Sequence, residues 1–266
     1  MSHIPRKRFG QHFLCDKAVI QRIIASLAPK KDDHLVEIGP GQGALTFPIL
    51  NAGYSLDAVE LDRDLIQQLE ARTQHPSPST GHLKIYSSDV LEFDFASLKT
   101  DARLLRVFGN LPYNISTPLI FHLIGFNSVI SDMLFMLQKE VADRLTASAS
   151  TEDYGRLSVM AQYHFKIESL FHVPASAFYP PPKVQSSIVR FVPSHAYETH
   201  DYALFADLVR HAFGQRRKTL RNSLKDLIDD EAWSKMKIRP DLRPENLTTK
   251  DFVEMSNVLY EIKQKK

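Results

Sequence analysis

Apolar residues alternate between two spacings over the first three quarters of the chain. Short apolar runs are typical of strands in a parallel sheet that is buried on both faces. They predict strands over residues 34–38, 55–61, 83–87, 104–109 and 129–137. Segments with helical spacing separate these runs and cover residues 16–27, 44–51, 62–73, 117–124 and 139–147. Strands that alternate with helices predict an α/β fold with a doubly wound, Rossmann-like sheet.

The pattern changes toward the end of the chain. Residues 154–165 have helical spacing, and residues 185–192 alternate as expected of an outer strand. After Pro193 the strand pattern disappears, and residues 202–212, 219–228 and 251–260 have helical spacing. We therefore expect an α/β domain over residues 1–193 and a small all-helical domain over residues 194–266.

The composition is that of an ordinary globular protein, with 43% hydrophobic and 24% charged residues in a chain of 266. No segment approaches the roughly 18 to 20 consecutive apolar residues of a membrane helix, and the basic N-terminus lacks the apolar stretch of a secretory signal. We expect a location in the cytoplasm or an organelle matrix and no membrane partner. Cys15 is the only cysteine, which excludes an internal disulfide and a cysteine-based metal cluster, so no metal is expected.

Positive charge is concentrated in two places, although the net charge is only +2. Arg6, Lys7 and Arg8 lie at the start, and six Lys or Arg residues with no Asp or Glu lie between Arg210 and Lys225. Grouped positive charge suits a phosphate backbone, because counterion release dominates such binding. A solvated helix face accounts for the pattern equally well at this point.

A glycine-rich loop follows the first predicted strand. Gly39, Gly41 and Gly43 alternate there, and glycines at a strand-to-helix turn let a ligand approach the backbone closely. Glu60, about 20 residues further on, ends the second strand and is placed to accept hydrogen bonds from ribose hydroxyls. The loop and Glu60 indicate a nucleoside-like cofactor. They do not distinguish a nicotinamide nucleotide from another adenosine-containing cofactor.

Asp89 and Val90 follow the third predicted strand. Asp89 can accept a hydrogen bond from the adenine amine of a cofactor while Val90 packs on the ring, although a helix cap is an alternative role for Asp89. Ligands of open α/β sheets bind at the carboxyl ends of the strands. The glycine loop, Glu60 and Asp89 are therefore expected to converge on one crevice.

The fourth predicted strand runs into Asn110, Leu111, Pro112 and Tyr113. The Asn110 side-chain oxygen and the Leu111 carbonyl can hold the N–H groups of adenine N6 so that its lone pair faces an electrophile. Pro112 restricts the backbone, and Tyr113 can stack on the base. A simple turn explains these four residues equally well in isolation, but their place after a fourth strand favours a receptor for a planar amine.

Seven segments together resemble those of the S-adenosylmethionine-dependent adenine-N6 dimethyltransferases of ribosomal RNA, in particular those that act on the small subunit. They are FGQHFL at 9–14, the loop at 37–43, Glu60, Asp89, residues 110–113, FYPPPKVQSS at 178–187 and FGQRRKTLRN at 213–222. The resemblance implies S-adenosylmethionine as the cofactor and two adjacent adenosines in a hairpin near the 3′ end of small-subunit rRNA as the substrate. It also implies a role in biogenesis of the small ribosomal subunit in the cytoplasm, and we expect a monomer.

The resemblance also implies roles for particular residues. Residues 1–15 would cover the cofactor, with contacts from His12 and Leu14, and family members often carry Asn where this chain has His12. Phe178 would close the adenine pocket opposite Tyr113. The residues expected to contact rRNA are Arg6, Lys7, Arg8, Arg216, Arg217, Lys218 and Arg221.

Three other functions remain open from the residues alone. One is an adenine methyltransferase of large-subunit rRNA or of DNA, which would use the same pocket. Another is an RNA-binding assembly factor or transcription accessory factor that keeps the fold without turnover. The third is a nicotinamide-dependent dehydrogenase, which gives no account of residues 110–113 or of the basic tail.

Overall fold

The computed structural model describes residues 12–74, 79–215 and 217–265. The strands in these residues are β1 Phe13–Leu14, β2 His34–Ile38, β3 Leu56–Glu60, β4 Leu83–Ser87, β5 Leu105–Asn110, β6 Ile130–Gln138, β7 Phe165–Val173, β8 Phe178–Tyr179 and β9 Ser186–Pro193. The α-helices are α1 Lys17–Leu27, α2 Thr46–Asn51, α3 Arg63–Thr73, α4 Ser116–Ile124, α5 Lys139–Thr146, α6 Arg156–His164, α7 Tyr202–Phe213, α8 Leu220–Ser223, α9 Asp230–Lys235 and α10 Thr249–Gln264.

Seven strands form one sheet in the order β4-β3-β2-β5-β6-β9-β7. The pairs from β4 to β6 are parallel, which brings the carboxyl ends of five strands to one edge. From β2 the chain builds the sheet in one direction through β3 and β4 and in the other through β5 and β6. The switch point therefore lies at the carboxyl ends of β2 and β5, where open α/β sheets bind ligands. This architecture confirms the predicted doubly wound α/β class.

Two of the helices, α1 and α3, begin where the sequence places capping residues. Asp16 accepts hydrogen bonds from the backbone amides of Ala18 and Val19 at 2.8 and 3.1 Å, which starts α1. Asp62 likewise accepts from the amide of Asp64 at 3.1 Å and starts α3. A side-chain acceptor at the N-cap satisfies amides that have no partner within the helix. These two helices consequently begin within one residue of their predicted starts.

A small antiparallel ladder between β1 and β8 was not expected from the sequence. It pairs Phe13 with Tyr179 and Leu14 with Phe178. The backbone amides of Cys15 and Asp16 both donate to the carbonyl of Ala177, at 2.8 and 3.3 Å. Strands of two residues carry no detectable periodicity, so only the folded chain reveals them. The ladder attaches the segment that begins at residue 12 to the segment around residue 178.

The strand predicted over residues 185–192 is present as β9, but its predicted place at the outside of the sheet is wrong. β9 lies between β6 and β7, and it pairs antiparallel with β6. Five of its first six residues are buried, as expected of a strand with neighbours on both sides. The strand beside it, β7, was not predicted, although residues 165–168 alternate between apolar and charged side chains as an edge strand does.

The chain divides into two compact units. One comprises the described residues up to Ala142 together with Glu168–Pro193, and it contains most of the sheet. The other comprises Asp143–Ile167 and the described residues from Ser194 onward, with Phe205, Trp233 and Phe252 in its core. The division expected at residue 193 differs from this one by residues 143–167, which join the second unit because α6 packs against α7 and α10.

Candidate active site

A cavity of about 300 Å³ lies at the switch point of the sheet. Its wall is formed by residues 12–14, by the loop after β2, by the end of β3, by residues 88–90 after β4 and by residues 110–115 after β5. This volume is at the lower end of the range for small-molecule sites, about 300 to 1,000 Å³. The four predicted strand ends therefore meet at one cavity.

The three glycines of the loop after β2 all have left-handed backbone conformations, with φ of +62° at Gly39, +56° at Gly41 and +82° at Gly43. Gly39 and Gly41 lie on the cavity wall. A Cβ at Gly39 would meet no atom within 4 Å, so the backbone there is open to a ligand. At Gly41 a Cβ would lie 3.4 Å from the ring of Phe13.

Gly43 does not line the cavity, although we expected it to bind the cofactor. A Cβ at this position would lie 2.1 Å from the ring of Phe47. The guanidinium of Arg72 lies 3.5 Å from the centroid of the same ring and covers it. Gly43 is therefore required for packing of the loop against α2, behind the wall of the cavity.

Glu60 lies at the end of β3 and is 8% exposed. Its Oε1 accepts hydrogen bonds from the amides of Leu61 and Asp62, both at 2.9 Å, and its Oε2 accepts from the amide of Gly41 at 3.2 Å. Burial raises the pKa of Glu60, and the three amides act in the opposite direction. A carboxylate offers about four lone-pair positions, so Glu60 retains capacity for a ligand hydroxyl.

Glu37 is a residue of this cavity that the site prediction omitted. It is 2% exposed within β2, and its Oε2 accepts a hydrogen bond of 2.6 Å from the hydroxyl of Thr46. Burial raises the pKa of Glu37 to about 8, although the Thr46 hydroxyl lowers it. An acidic residue inside an otherwise apolar strand was the signal that could have identified it, because charged groups are rarely buried without a function or a partner.

Asp89 and Val90 both lie on the cavity wall, as predicted. The Oδ1 of Asp89 accepts a hydrogen bond of 2.9 Å from the amide of Leu91. Its Oδ2 accepts no hydrogen bond from the described residues, which leaves an acceptor for a ligand amine. Val90 is 8% exposed beside it. The wall carries four acidic side chains, those of Glu37, Glu60, Asp62 and Asp89, and none of its described residues is Lys or Arg.

The side chain of Asn110 is held in place by a residue near the N-terminus. Its Nδ2 donates a hydrogen bond of 3.1 Å to the backbone carbonyl of His12. Because the nitrogen is committed in this way, the side-chain oxygen is the group that remains as an acceptor. This geometry is the one that the receptor interpretation requires.

The side chain of His12 contacts two other parts of the site. Its Nδ1 lies 2.7 Å from the carbonyl oxygen of Pro180, and since a carbonyl only accepts, Nδ1 carries the proton. Its ring stacks on that of Tyr113 with centroids 5.8 Å apart. His12 thus contributes its backbone carbonyl to Asn110 and its ring to Tyr113.

Tyr113 and Leu111 complete the wall after β5. The Tyr113 hydroxyl lies 2.8 Å from the hydroxyl of Ser186 in β9, which anchors the ring across the sheet. Burial raises the pKa of Tyr113. Leu111 is 1% exposed, and its backbone amide donates to the carbonyl of Met136 at 3.3 Å.

Phe178 does not line the cavity. It is 4% exposed and belongs to the apolar core beneath the sheet edge, beside Leu14, its partner across the ladder. The structure therefore gives Phe178 a packing role under the wall that Leu14 presents to the cavity. A direct contact between Phe178 and the target base stays a prediction.

The basic residues predicted to contact RNA fall into two groups. Arg6, Lys7, Arg8 and Arg216 lie outside the described residues. Arg217, Lys218 and Arg221 are exposed in the second unit. Arg221 donates a hydrogen bond of 2.7 Å to Asp230, so its charge is partly compensated.

Metal sites and membrane spans can be assessed for the described residues alone. In them, no group of three or more His, Cys, Asp or Glu side chains is arranged to hold a metal ion. No helix among them is long and apolar enough to cross a membrane.

Comparison with known proteins relates the whole chain to one family. The family model described as ribosomal RNA adenine dimethylase matches residues 2–265. A ribosomal RNA small subunit methyltransferase A of Chromohalobacter salexigens is 52% identical in an alignment of 263 positions that covers 96% of this chain and 92% of that protein. A protein of the same name from Chromobacterium violaceum is 51% identical over 97% of both chains.

Solved structures give the same fold. The crystal structure of a dimethyladenosine transferase from Plasmodium falciparum superposes with a TM-score of 0.81 at 25% identity, covering 96% of this chain and 98% of that chain. The crystal structure of the 23S rRNA methyltransferase ErmE superposes with a TM-score of 0.68 at 22% identity, covering 93% and 99% of the two chains. The second likeness concerns the fold alone.

Proposed function

Because this chain belongs to the ribosomal RNA adenine dimethylase family, we propose that it methylates two adjacent adenosines in a hairpin near the 3′ end of small-subunit rRNA. It is an S-adenosylmethionine-dependent methyltransferase, and the product is N6,N6-dimethyladenosine. The observation that carries the assignment of the site is the hydrogen bond from Asn110 to the carbonyl of His12. This hydrogen bond leaves the side-chain oxygen of Asn110 as an oriented acceptor at the wall of an acidic cavity, beside the glycine loop.

The residues of the cavity fit S-adenosylmethionine. Gly39 offers open backbone, Glu60 has capacity for ribose hydroxyls, and Asp89 and Val90 offer an acceptor and an apolar contact for the adenine of the cofactor. When bound, the cofactor supplies a methyl group on a positively charged sulfur. The acidic side chains of Glu60, Asp62 and Asp89, with no Lys or Arg in the described wall, favour such a cationic ligand over a neutral one.

Asn110 and Leu111 orient the nitrogen that receives the methyl group. The N6 of adenine is a poor nucleophile because its lone pair is conjugated with the ring. Acceptors that hold its two N–H groups in a pyramidal arrangement direct the lone pair out of the ring plane. We assign this role to the side-chain oxygen of Asn110 and to the carbonyl of Leu111. As N6 gains positive charge, the same oxygens stabilise it electrostatically.

Tyr113 forms the stacking surface for the target base. Its ring is fixed by the hydroxyl of Ser186 on one side and the ring of His12 on the other. A base that leaves its stack in RNA loses a few kcal/mol, and stacking on an aromatic ring compensates for part of this loss. The face of the ring also stabilises the developing positive charge.

The second unit supplies contacts to the rRNA backbone in this proposal. Arg217 and Lys218 are exposed and carry positive charge. Arg221, whose charge is partly compensated by Asp230, is a third contact in this proposal. The protein would act as a monomer on the small ribosomal subunit during its biogenesis in the cytoplasm.

The alternatives receive less support. The curated relatives that are about 50% identical carry the name of the small-subunit enzyme. The structure named for 23S rRNA is only 22% identical. A dehydrogenase would have no use for the acceptors of residues 110–113.

Mass analysis of rRNA tests the proposal. Small subunits without the modification, large subunits and duplex DNA are each incubated with the protein and S-adenosylmethionine. We expect the mass of two methyl groups to be added to each of two adenosines near the 3′ end of the small-subunit RNA, and no addition elsewhere. Unmodified small-subunit adenine would overturn the proposed function, and methylation of the large subunit or of DNA instead would reassign the substrate.

A further inference from the structure

Tyr179 is the most exposed large apolar side chain of those that the structure describes, at 68%. Its neighbour in β8, Phe178, is 4% exposed, because successive side chains of a strand point to opposite faces. Phe178 fills the core beneath the cavity wall, so Tyr179 points away from that core. An exposed aromatic ring contributes nothing to the hydrophobic core and is available for a ligand.

The position of Tyr179 is next to the candidate active site. Tyr179 pairs across the ladder with Phe13, which lines the cavity. The residue after it, Pro180, accepts the hydrogen bond from His12, whose ring stacks on Tyr113. Tyr179 is therefore connected to the base-stacking residue through Pro180 and His12, but it lies outside the cavity wall.

The backbone around Tyr179 is held on both sides. Before it, the carbonyl of Ala177 accepts from the amides of Cys15 and Asp16. After it come three consecutive prolines, which restrict the backbone, and Pro182 is buried. A tyrosine has only two side-chain torsions, so a ring on such a support loses little conformational entropy when it binds a partner.

The charge of this segment suits a nucleic acid. Residues 179–185 contain Lys183 and no Asp or Glu, and Lys183 is exposed. A positive side chain beside an exposed aromatic ring is the combination that single-stranded nucleic acids bind, through phosphate and base respectively.

We propose that Tyr179 stacks on the unpaired base adjacent to the adenosine held in the cavity. The inference rests on the proposed function, which requires the target base to leave its stack and thereby exposes one face of its neighbour. Tyr179 would cover that face. Since the two substrate adenosines are adjacent, the ring would hold one of them while the other is methylated.

The test compares binding of two kinds of RNA hairpin. In one kind both nucleotides that flank the target adenosine are intact, and in the other kind one of them is abasic. Binding is measured by fluorescence anisotropy for the wild-type protein and for Tyr179→Ala, Tyr179→Phe and Leu104→Ala. The last variant is a control, because Leu104 is 42% exposed and precedes β5, at the amino ends of the parallel strands and away from the cavity. Binding of S-adenosylhomocysteine, followed by calorimetry, reports whether the cavity is intact.

We expect Tyr179→Ala to weaken binding of the intact hairpin by about tenfold to a hundredfold. The abasic nucleotide on one side should weaken binding of the wild-type protein by a similar factor. When Tyr179→Ala is combined with that abasic hairpin, binding should be no weaker than with either change alone. Tyr179→Phe and Leu104→Ala should bind as the wild type does. S-adenosylhomocysteine should bind equally to all four proteins.

Two results would overturn the inference. One is that Tyr179→Ala binds the intact hairpin as tightly as the wild type. The other is that the losses from Tyr179→Ala and from the abasic nucleotide multiply, which would mean that the two groups do not touch. Failure of the wild-type protein to methylate small subunits would instead contradict the proposed function, and it would be seen separately because the anisotropy measurement does not depend on methyl transfer.

Discussion

The side-chain nitrogen of Asn110 lies 3.1 Å from the backbone carbonyl oxygen of His12, a residue 98 positions earlier in the chain. This contact joins the carboxyl end of β5 to the segment that the β1–β8 ladder holds in place. It also determines which atom of the Asn110 amide is offered to a substrate. Orientation of the acceptor therefore depends on the segment around residue 12 as well as on β5.

Replacement of Asn110 by Ala should reduce methyl transfer far more than cofactor binding. The variant loses the oriented oxygen that holds N6, and loss of one such polar group at a reacting centre typically lowers kcat by about 100- to 1,000-fold. Single-turnover methylation of small subunits and calorimetry with S-adenosylhomocysteine measure the two quantities. Asn51→Ala, an exposed residue at the end of α2, is the control and should retain full activity. Normal turnover by Asn110→Ala would contradict the assigned role.

The glycine loop offers a matched pair of substitutions. Both Gly39→Ala and Gly43→Ala place a side chain at a left-handed backbone position, which costs about 1–2 kcal/mol. The added methyl at Gly43 also overlaps the ring of Phe47, so this variant should be the less stable by roughly a further 1–3 kcal/mol, as is usual for overpacking.

The methyl at Gly39 meets no protein atom, but it lies at the cavity. Gly39→Ala should therefore lose cofactor affinity while Gly43→Ala loses stability. Thermal denaturation and calorimetry with S-adenosylhomocysteine separate the two effects. Equal losses of stability and of cofactor affinity in the two variants would contradict the assignment of Gly39 to cofactor binding and of Gly43 to packing.

Much of the fold could be predicted from the sequence because its signals are local. The parallel strands and the starts of α1 and α3 depend on apolar spacing and on the caps Asp16 and Asp62, which act within a few residues. The strands β1 and β8 exist only because distant segments pair. Likewise, β9 was expected at the edge of the sheet because its own residues do not indicate that β7 pairs with it.

The candidate site divides in the same way. Glu60, Asp89 and Asn110 were identifiable because each lies at the end of a strand, and the carboxyl ends of parallel strands meet. Whether Gly43 and Phe178 lie on the cavity wall or behind it depends on rings contributed by other elements, such as that of Phe47.

The raised pKa of Glu37 predicts a pH dependence of stability. Between the ordinary glutamate value of 4.5 and the folded value of about 8, the folded protein keeps a proton that the unfolded chain has released. The free energy of unfolding should therefore fall as the pH rises through this window, by on the order of a few kcal/mol. Urea denaturation at a series of pH values measures it.

Two variants separate the contribution of Glu37 from that of other groups. Glu37→Gln keeps the shape of the side chain and cannot ionise, so the fall in stability across this window should largely disappear. Thr46→Val removes the hydroxyl that lowers the pKa of Glu37, and the fall should then extend to higher pH. A wild-type curve parallel to that of Glu37→Gln would refute the buried, protonated state.

Removal of exposed positive charge in the second unit should weaken RNA binding without regard to sequence. For each phosphate that is no longer neutralised, the slope of log affinity against log salt should become shallower by about 0.9 in duplex regions and about 0.7 in single strands. Arg217→Ala and Lys218→Ala are each expected to show this change, whereas Arg221→Ala should change the slope less because Asp230 already compensates part of its charge. Lys30→Ala, exposed after α1 in the first unit, is the matched control of equal charge. Anisotropy titrations of the hairpin between low and high salt give the slopes, and equal slopes for Arg217→Ala, Lys218→Ala and Lys30→Ala would place the RNA backbone elsewhere.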